Sequence, residues 1–243
     1  MESSVSTPHC SFVVYLNRDS ALVPDFLKDV RSFFQKFPLS YELIFAVEKN
    51  ASACSEILRP ELKNAGPKET LVLLQNTKTR GRAESLRHAL HKAQAPFVLV
   101  ATVEMATPLG DLFKILQHLM TEPDVDICWG DRTSRKDSPF QYKREPRHRI
   151  EHTFNAITRE KNRQPFKDPS CEIWGIKKTA WSDIGNSSPT HPWRGWYTAP
   201  YVQNLCRKLN KSVVEVPVYD SGATSPSYSL WKERLNLLTK GVF

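Results

Sequence analysis

The sequence predicts a single α/β domain, a mostly parallel sheet with helices on both faces. Two observations carry that expectation. Short apolar runs rich in β-branched residues alternate with amphipathic stretches of helical period through residues 11–129, and strands apolar on both faces belong to parallel sheets covered on both sides. The 243 residues, 40% hydrophobic and 25% charged, supply one sizeable core and exclude a fibrous or disordered chain.

The elements follow in order. Residues 11–16 (SFVVYL) read as a strand, and Leu22, Phe26, Leu27, Val30, Phe33 and Phe34 then recur at helical spacing. The alternation repeats with strands at 42–47, 70–75 and 97–102 and helices at 52–62 and 80–93. Pro108, a residue suited to a first turn, opens a helix to about Met120. Residues 125–129 make a fifth strand. A basic, proline-punctuated stretch (132–149) breaks the pattern before a helix at about 147–161. The last third adds a strand near 171–176, a helix at about 197–209 and a strand at 212–218. A polar linker (220–229) leads to an amphipathic segment, 230–238. The expected organisation is a flexible N-terminus (1–10), a regular α/β half (11–130), a second half of the same domain (131–228) and the C-terminal segment (229–243).

A net charge of +8 favours anionic partners without choosing among them. Five scattered cysteines without a CxxC pair read as reduced thiols of a cytoplasmic protein. No run approaches the roughly 18 apolar residues of a membrane span. The 230–238 segment either lies on a bilayer surface or packs back on the domain, so the expected location is cytoplasmic, with peripheral contact at the inner face of the membrane left open. No nucleic-acid-binding motif is present.

Several segments together resemble the family 2 glycosyltransferases, especially the polyprenyl-phosphate (dolichol-phosphate mannose synthase-like) branch. They are Tyr41-Glu-Leu-Ile-Phe-Ala, Ser55-Glu-Ile-Leu, Arg80-Gly-Arg-Ala-Glu-Ser-Leu, Gly130-Asp-Arg, Asp168-Pro-Ser and Val213-Val-Glu-Val-Pro-Val, and their order and spacing cover roughly residues 11–230. The resemblance implies a GT-A (Rossmann-like) fold and a nucleotide-sugar donor, with 11–130 as the nucleotide-sugar-binding-like half and 131–228 as the acceptor-side half. Where that family carries Asp-Asp-Gly-Ser after its second strand, this chain has Val47, Glu48, Lys49 and Asn50. Lys49 reads either as a phosphate contact or as a solvated turn residue. Where the family holds a divalent cation with Asp-x-Asp, the chain has Thr102, Val103 and Glu104, with Ala106 at a nearby Gln position. Mg²⁺ or Mn²⁺ wants hard oxygen ligands, so any metal here would depend on Glu104.

The acceptor side shows the same trend. Asp168 keeps its place as a candidate catalytic carboxylate, but Glu172 and Trp174 replace a glycine and an arginine. Arg80, Arg82 and Arg132 fall where the family meets the nucleotide and its diphosphate. Trp174, Trp193 and Trp196 are candidate stacking surfaces for a sugar or acceptor. Cys171 reads as a buried thiol rather than a nucleophile, and His148 and His152 as surface histidines. Loss on both sides of the site leads to the expectation of a catalytically degenerate, pseudo-glycosyltransferase module that binds an anionic ligand or a protein partner. The alternative is an active transferase working through Glu48 and Glu104 or through arginines.

Overall fold

A computed structural model describes residues 7–17, 19–140, 146–162, 166–187 and 199–221. The elements are β1 (Cys10–Leu16), a 3-10 turn (Ser20–Leu22), α1 (Val23–Phe34), β2 (Tyr41–Val47), α2 (Ser52–Glu61), β3 (Glu69–Gln75), α3 (Arg82–Lys92), β4 (Phe97–Ala101) and α4 (Leu109–Thr121). There follow β5 (Ile127–Asp131), α5 (Pro146–Asn162), β6 (Trp174–Lys177), α6 (Lys178–Ser187), α7 (Ala199–Lys208) and β7 (Val213–Pro217). They form one seven-stranded sheet in the order β3-β2-β1-β4-β6-β5-β7.

Every residue of β1 and β2 is buried, as expected of central strands covered on both faces. β3 lies at the sheet edge, and its apolar residues Leu71, Val72, Leu73 and Leu74 are only half buried. The sheet is parallel except at β6, which runs antiparallel to both β4 and β5. β1 pairs β2 on one side and β4 on the other. The chain therefore reverses direction across the sheet between β3 and β4. In open α/β sheets the ligand crevice lies beyond the carboxyl ends of the strands at such a reversal. Because β6 is antiparallel, the residues that precede it join the same edge.

The predicted β/α order matches the observed elements up to β5. The expected strand at 171–176 is shorter and shifted, Trp174–Lys177, and α6 was not foreseen. Its sequence, KTAWSDIGNS, mixes weak helix formers with three inward residues, Ala180, Trp181 and Ile184, so packing rather than propensity makes it a helix. Gly185 allows that packing: a Cβ there would lie 2.4 Å from His91 Cε1 on α3. The 230–238 segment lies outside the described residues. No helix among the described residues is long and apolar enough to cross a membrane.

Candidate functional site

Glu48 emerges from the end of β2 and is buried. Its Oε1 accepts the backbone N–H groups of Lys49 and Arg80, each at 3.1 Å. Its Oε2 accepts the N–H of Gly81 at 2.9 Å and the Tyr15 hydroxyl at 3.3 Å. A carboxylate offers about four lone-pair positions, and all four are used. Glu48 thus ties β2 to the turn that starts α3, where Gly81 has φ 80, a conformation that suits glycine. Burial and the adjacent carboxylate push the Tyr15 hydroxyl pKa well up, so it stays a donor to Glu48. Lys49 and Asn50 are exposed.

Arg80 and Arg82 flank the same turn. Arg80 is half buried, with Nη1 3.4 Å from Glu84 Oε1, and its buried Nε has no hydrogen-bond partner. Arg82 is buried, and its Nη1 lies 2.6 Å from Glu172 Oε1. Burial raises the Glu172 pKa; Arg82 opposes the shift, while Glu104 and Glu151 add to it. Glu172, just before β6, and Glu104, just after β4, therefore face one another's charge at the crevice.

Mn²⁺ or Mg²⁺ would need a converging set of hard ligands there. Among the described residues no group of three or more His, Cys, Asp or Glu side chains is placed to hold a metal. The chain between β4 and α4 supplies one carboxylate, Glu104, in a turn where Met105 has φ 49. These residues do not make a metal site of their own.

Arg132, immediately after β5, is the centre of a buried network. Its Nε donates to Asp168 Oδ2 at 2.7 Å, and its Nη2 to Asp168 Oδ1 at 3.0 Å and Ser170 Oγ at 2.8 Å. Its Nη1 donates to Glu151 Oε2 at 2.8 Å and Asp220 Oδ2 at 3.2 Å. The guanidinium also lies 4.1 Å from the centre of the Phe140 ring. All five donor hydrogens have partners. Burial works against the charge, but Asp168 and Glu151 outweigh it and hold the Arg132 pKa well above its ordinary value. Asp168 is fully buried and accepts further from the Arg132 backbone N–H, from Asn155 Nδ2 at 2.7 Å and from Ser170 Oγ.

The structure thus brings Glu48, Arg80, Arg82, Glu104, Arg132 and Asp168 to one edge of the sheet, but most of them meet each other. Trp174 is a correction. Its ring is fully buried and stacks on Trp129 at 5.4 Å between centroids, with an interplanar angle of 4°. It sits on the covered strand β6, so it offers no face to a sugar. Trp193 and Trp196 lie outside the described residues. His148, expected at the surface, is fully buried with its ring 5.2 Å from Phe140. Cys171 is buried and its pKa is driven up by desolvation, as a core thiol requires.

Sequence reasoning missed Tyr15, Glu151, Asn155 and Asp220. One signal was present: His148, Glu151, Asn155 and Thr158 recur at helical spacing and are all buried. The stripe of α5 that faces the core is polar, so a search for apolar periodicity passes over it.

The sheet order, the single antiparallel strand and the crevice edge define a GT-A type, Rossmann-like α/β fold. Solved structures bear this out. The chain matches a mannosyltransferase of Pyrobaculum calidifontis, solved with GDP-Man and Mn²⁺, at TM-score 0.58 and 14% identity over 94% of this chain, and spans 61% of that structure. It matches a mannosyl-3-phosphoglycerate synthase of Rubrobacter xylanophilus at TM-score 0.61 and 11% identity, covering 97% of this chain and 76% of that one. A 4-diphosphocytidyl-2C-methyl-D-erythritol synthase of Anaerococcus prevotii matches at TM-score 0.58 and 12% identity, over 95% and 97% of the two chains. No family model matches the chain, and no curated protein matches it.

Proposed function

We propose that the chain is a family 2 glycosyltransferase-like protein whose site is catalytically degenerate, a pseudo-glycosyltransferase that serves as a binding or interaction module. One observation carries the reading: most of the charged groups at the crevice are engaged with other groups of the chain. Glu48 is filled by the α3 turn and Tyr15, Arg82 is paired with Glu172, and Arg132 spends all its donors on Asp168, Ser170, Glu151 and Asp220. A nucleotide sugar would have to displace these contacts, and breaking a buried pair costs about 3–5 kcal/mol. The fold is shared with enzymes solved with GDP-Man or UDP-glucose and Mn²⁺, which makes nucleotide sugars the ligands to test. Calorimetric titration of UDP- and GDP-sugars, with and without Mn²⁺, is expected to show no metal-dependent uptake. Micromolar, Mn²⁺-dependent binding with turnover would overturn the reading.

A second reading keeps some support from Arg80, whose Nε lacks a partner beside the crevice. It is an active transferase in which arginine neutralises the diphosphate, with or without help from Glu104. Its signature would be turnover lost in Arg80→Ala. A Glu104→Ala variant with full activity would remove the metal-assisted version.

A further inference from the structure

A cleft of ≈ 460 Å³ lies between α5 and the segments that follow β5 and precede β6, lined by Thr133, His152, Thr153, Asn155, Arg159 and Lys167. That is within the usual range for small-molecule sites. His152, Asn155 and Arg159 are spaced i, i+3, i+7 and so share one face of α5. The opposite wall is held by backbone contacts. The Lys167 N–H donates to Glu215 Oε1 at 2.7 Å, and the Thr133 N–H donates to Asp131 Oδ1 at 2.8 Å.

Among the described residues no carboxylate side chain lines the cleft, and the two charged groups there, Arg159 and Lys167, are both cationic and exposed. The Lys167 ammonium has Asp131 Oδ2 3.8 Å away, but the Asp131 carboxylate already accepts from Thr133 and Ser134. The neutral polar groups are acceptors. The Thr133 hydroxyl proton goes to Asp131 at 2.5 Å and that of Thr153 to the Arg149 carbonyl at 3.0 Å, leaving lone pairs on both oxygens. His152 Nε2 lies 3.0 Å from the Phe140 carbonyl. That nitrogen therefore carries the proton in the neutral ring, and Nδ1 is the acceptor.

Two cations beside three acceptors suit a ligand that is both anionic and rich in hydroxyl donors. We propose that this cleft binds a phosphorylated polyol, a sugar phosphate being the simplest form. The phosphate lies on Arg159 and Lys167, and its hydroxyl groups donate to Thr133 and Thr153. None of these residues belongs to the Glu48, Arg80, Arg82 and Glu104 group, so this site stands or falls separately from nucleotide-sugar binding.

The test is calorimetric titration of the full chain with glucose 6-phosphate, inorganic phosphate and glucose. Glucose 6-phosphate is expected to bind saturably, inorganic phosphate at least about fivefold more weakly, and glucose not at all. Reversing both cations, Arg159→Glu with Lys167→Glu, is expected to weaken glucose 6-phosphate at least about tenfold while leaving the thermal midpoint nearly unchanged, because both side chains are exposed. Thr153→Val is expected to narrow the preference over inorganic phosphate. Absence of saturable binding to the wild-type chain, or equal binding by the doubly reversed variant, overturns the site. Equal affinity for glucose 6-phosphate and inorganic phosphate overturns the polyol assignment.

Discussion

Replacing Arg132 with lysine keeps the positive charge and removes the planar fork that distributes it. The guanidinium makes five hydrogen bonds, to both oxygens of Asp168 and to Ser170, Glu151 and Asp220. An ammonium has three donors, so at least two of the five are lost. Bonds involving a charged group contribute about 1.5–3 kcal/mol each, which sets the loss at about 3–6 kcal/mol against a total stability of about 5–15 kcal/mol for a typical domain. Water and a repositioned ammonium favour the lower end. For a chain of this size that lowers the thermal midpoint by about 6–12 °C. Urea denaturation followed by circular dichroism measures it, and a reduced midpoint with an unchanged slope isolates stability from compactness. A loss below about 1 kcal/mol would refute the assignment of Arg132 as a structural hub and return it to the pool of free ligand-binding cations. In that event Arg132→Lys would weaken ligand binding and leave the denaturation curve in place.

Glu48→Gln leaves one acceptor oxygen for a carboxylate's worth of donors and turns an amide N–H₂ toward them. The loss is expected to be about 2–3 kcal/mol, with faster hydrogen exchange at the Arg80 and Gly81 amides as the specific readout. Gly130→Ala is expected to cost about 1–3 kcal/mol or more, since a Cβ there would meet the Ile173 carbonyl oxygen at 2.8 Å. Gly110→Ala, with nothing within 4 Å of the added carbon in α4, is expected to stabilise by about 0.5–1 kcal/mol; paired thermal melts check both. Glu172 supplies a pH dependence. Burial holds its folded-state pKa above the ordinary glutamate value, so between the two values the folded chain binds more protons. Its contribution is present below the unfolded value and lost as pH rises through the folded one. Wild-type stability is therefore expected to fall relative to Glu172→Gln as pH rises through and above the ordinary glutamate range, and a constant difference in urea midpoint would contradict this.

The first five strands and their helices were legible because each carries its own periodicity. Burial on both faces makes β1 and β2 unbroken apolar runs, and α1 shows its inward residues Phe26, Leu27, Val30 and Phe34 at helical spacing. α6 was missed because its signal lies in tertiary contacts with His91 rather than in propensity. The antiparallel direction of β6 is a property of the sheet and leaves no mark in a four-residue strand. At the site, positions were legible and partners were not. Arg132 and Asp168 could be placed at the site through the family resemblance of Gly130-Asp-Arg and Asp168-Pro-Ser. Their bonding to Glu151 and Asp220 joins residues up to 88 positions apart, and no local pattern encodes such a pairing. Trp174 failed for a related reason, because an indole that stacks on a ligand and one that stacks on Trp129 are the same residue in the sequence.

A buried ion cluster is a poor source of net stability, since well-packed apolar residues often serve as well. What Arg132 does is join four separate pieces of chain at one point: the end of β5, α5 through Glu151, the approach to β6 through Asp168 and Ser170, and the segment after β7 through Asp220. In sheets of this kind a ligand normally occupies that edge. Here one guanidinium meets three carboxylates, and all five of its donor hydrogens are taken. A diphosphate approaching Arg132 would find none of the guanidinium's donors free. The outer face of α5 offers Arg159 together with Lys167, both unburied. Among the described residues, the cations that an anion could use are therefore Arg80 beside the crevice and the Arg159–Lys167 pair outside it. That placement favours a scaffold reading of the crevice and directs the search for an anionic ligand to α5.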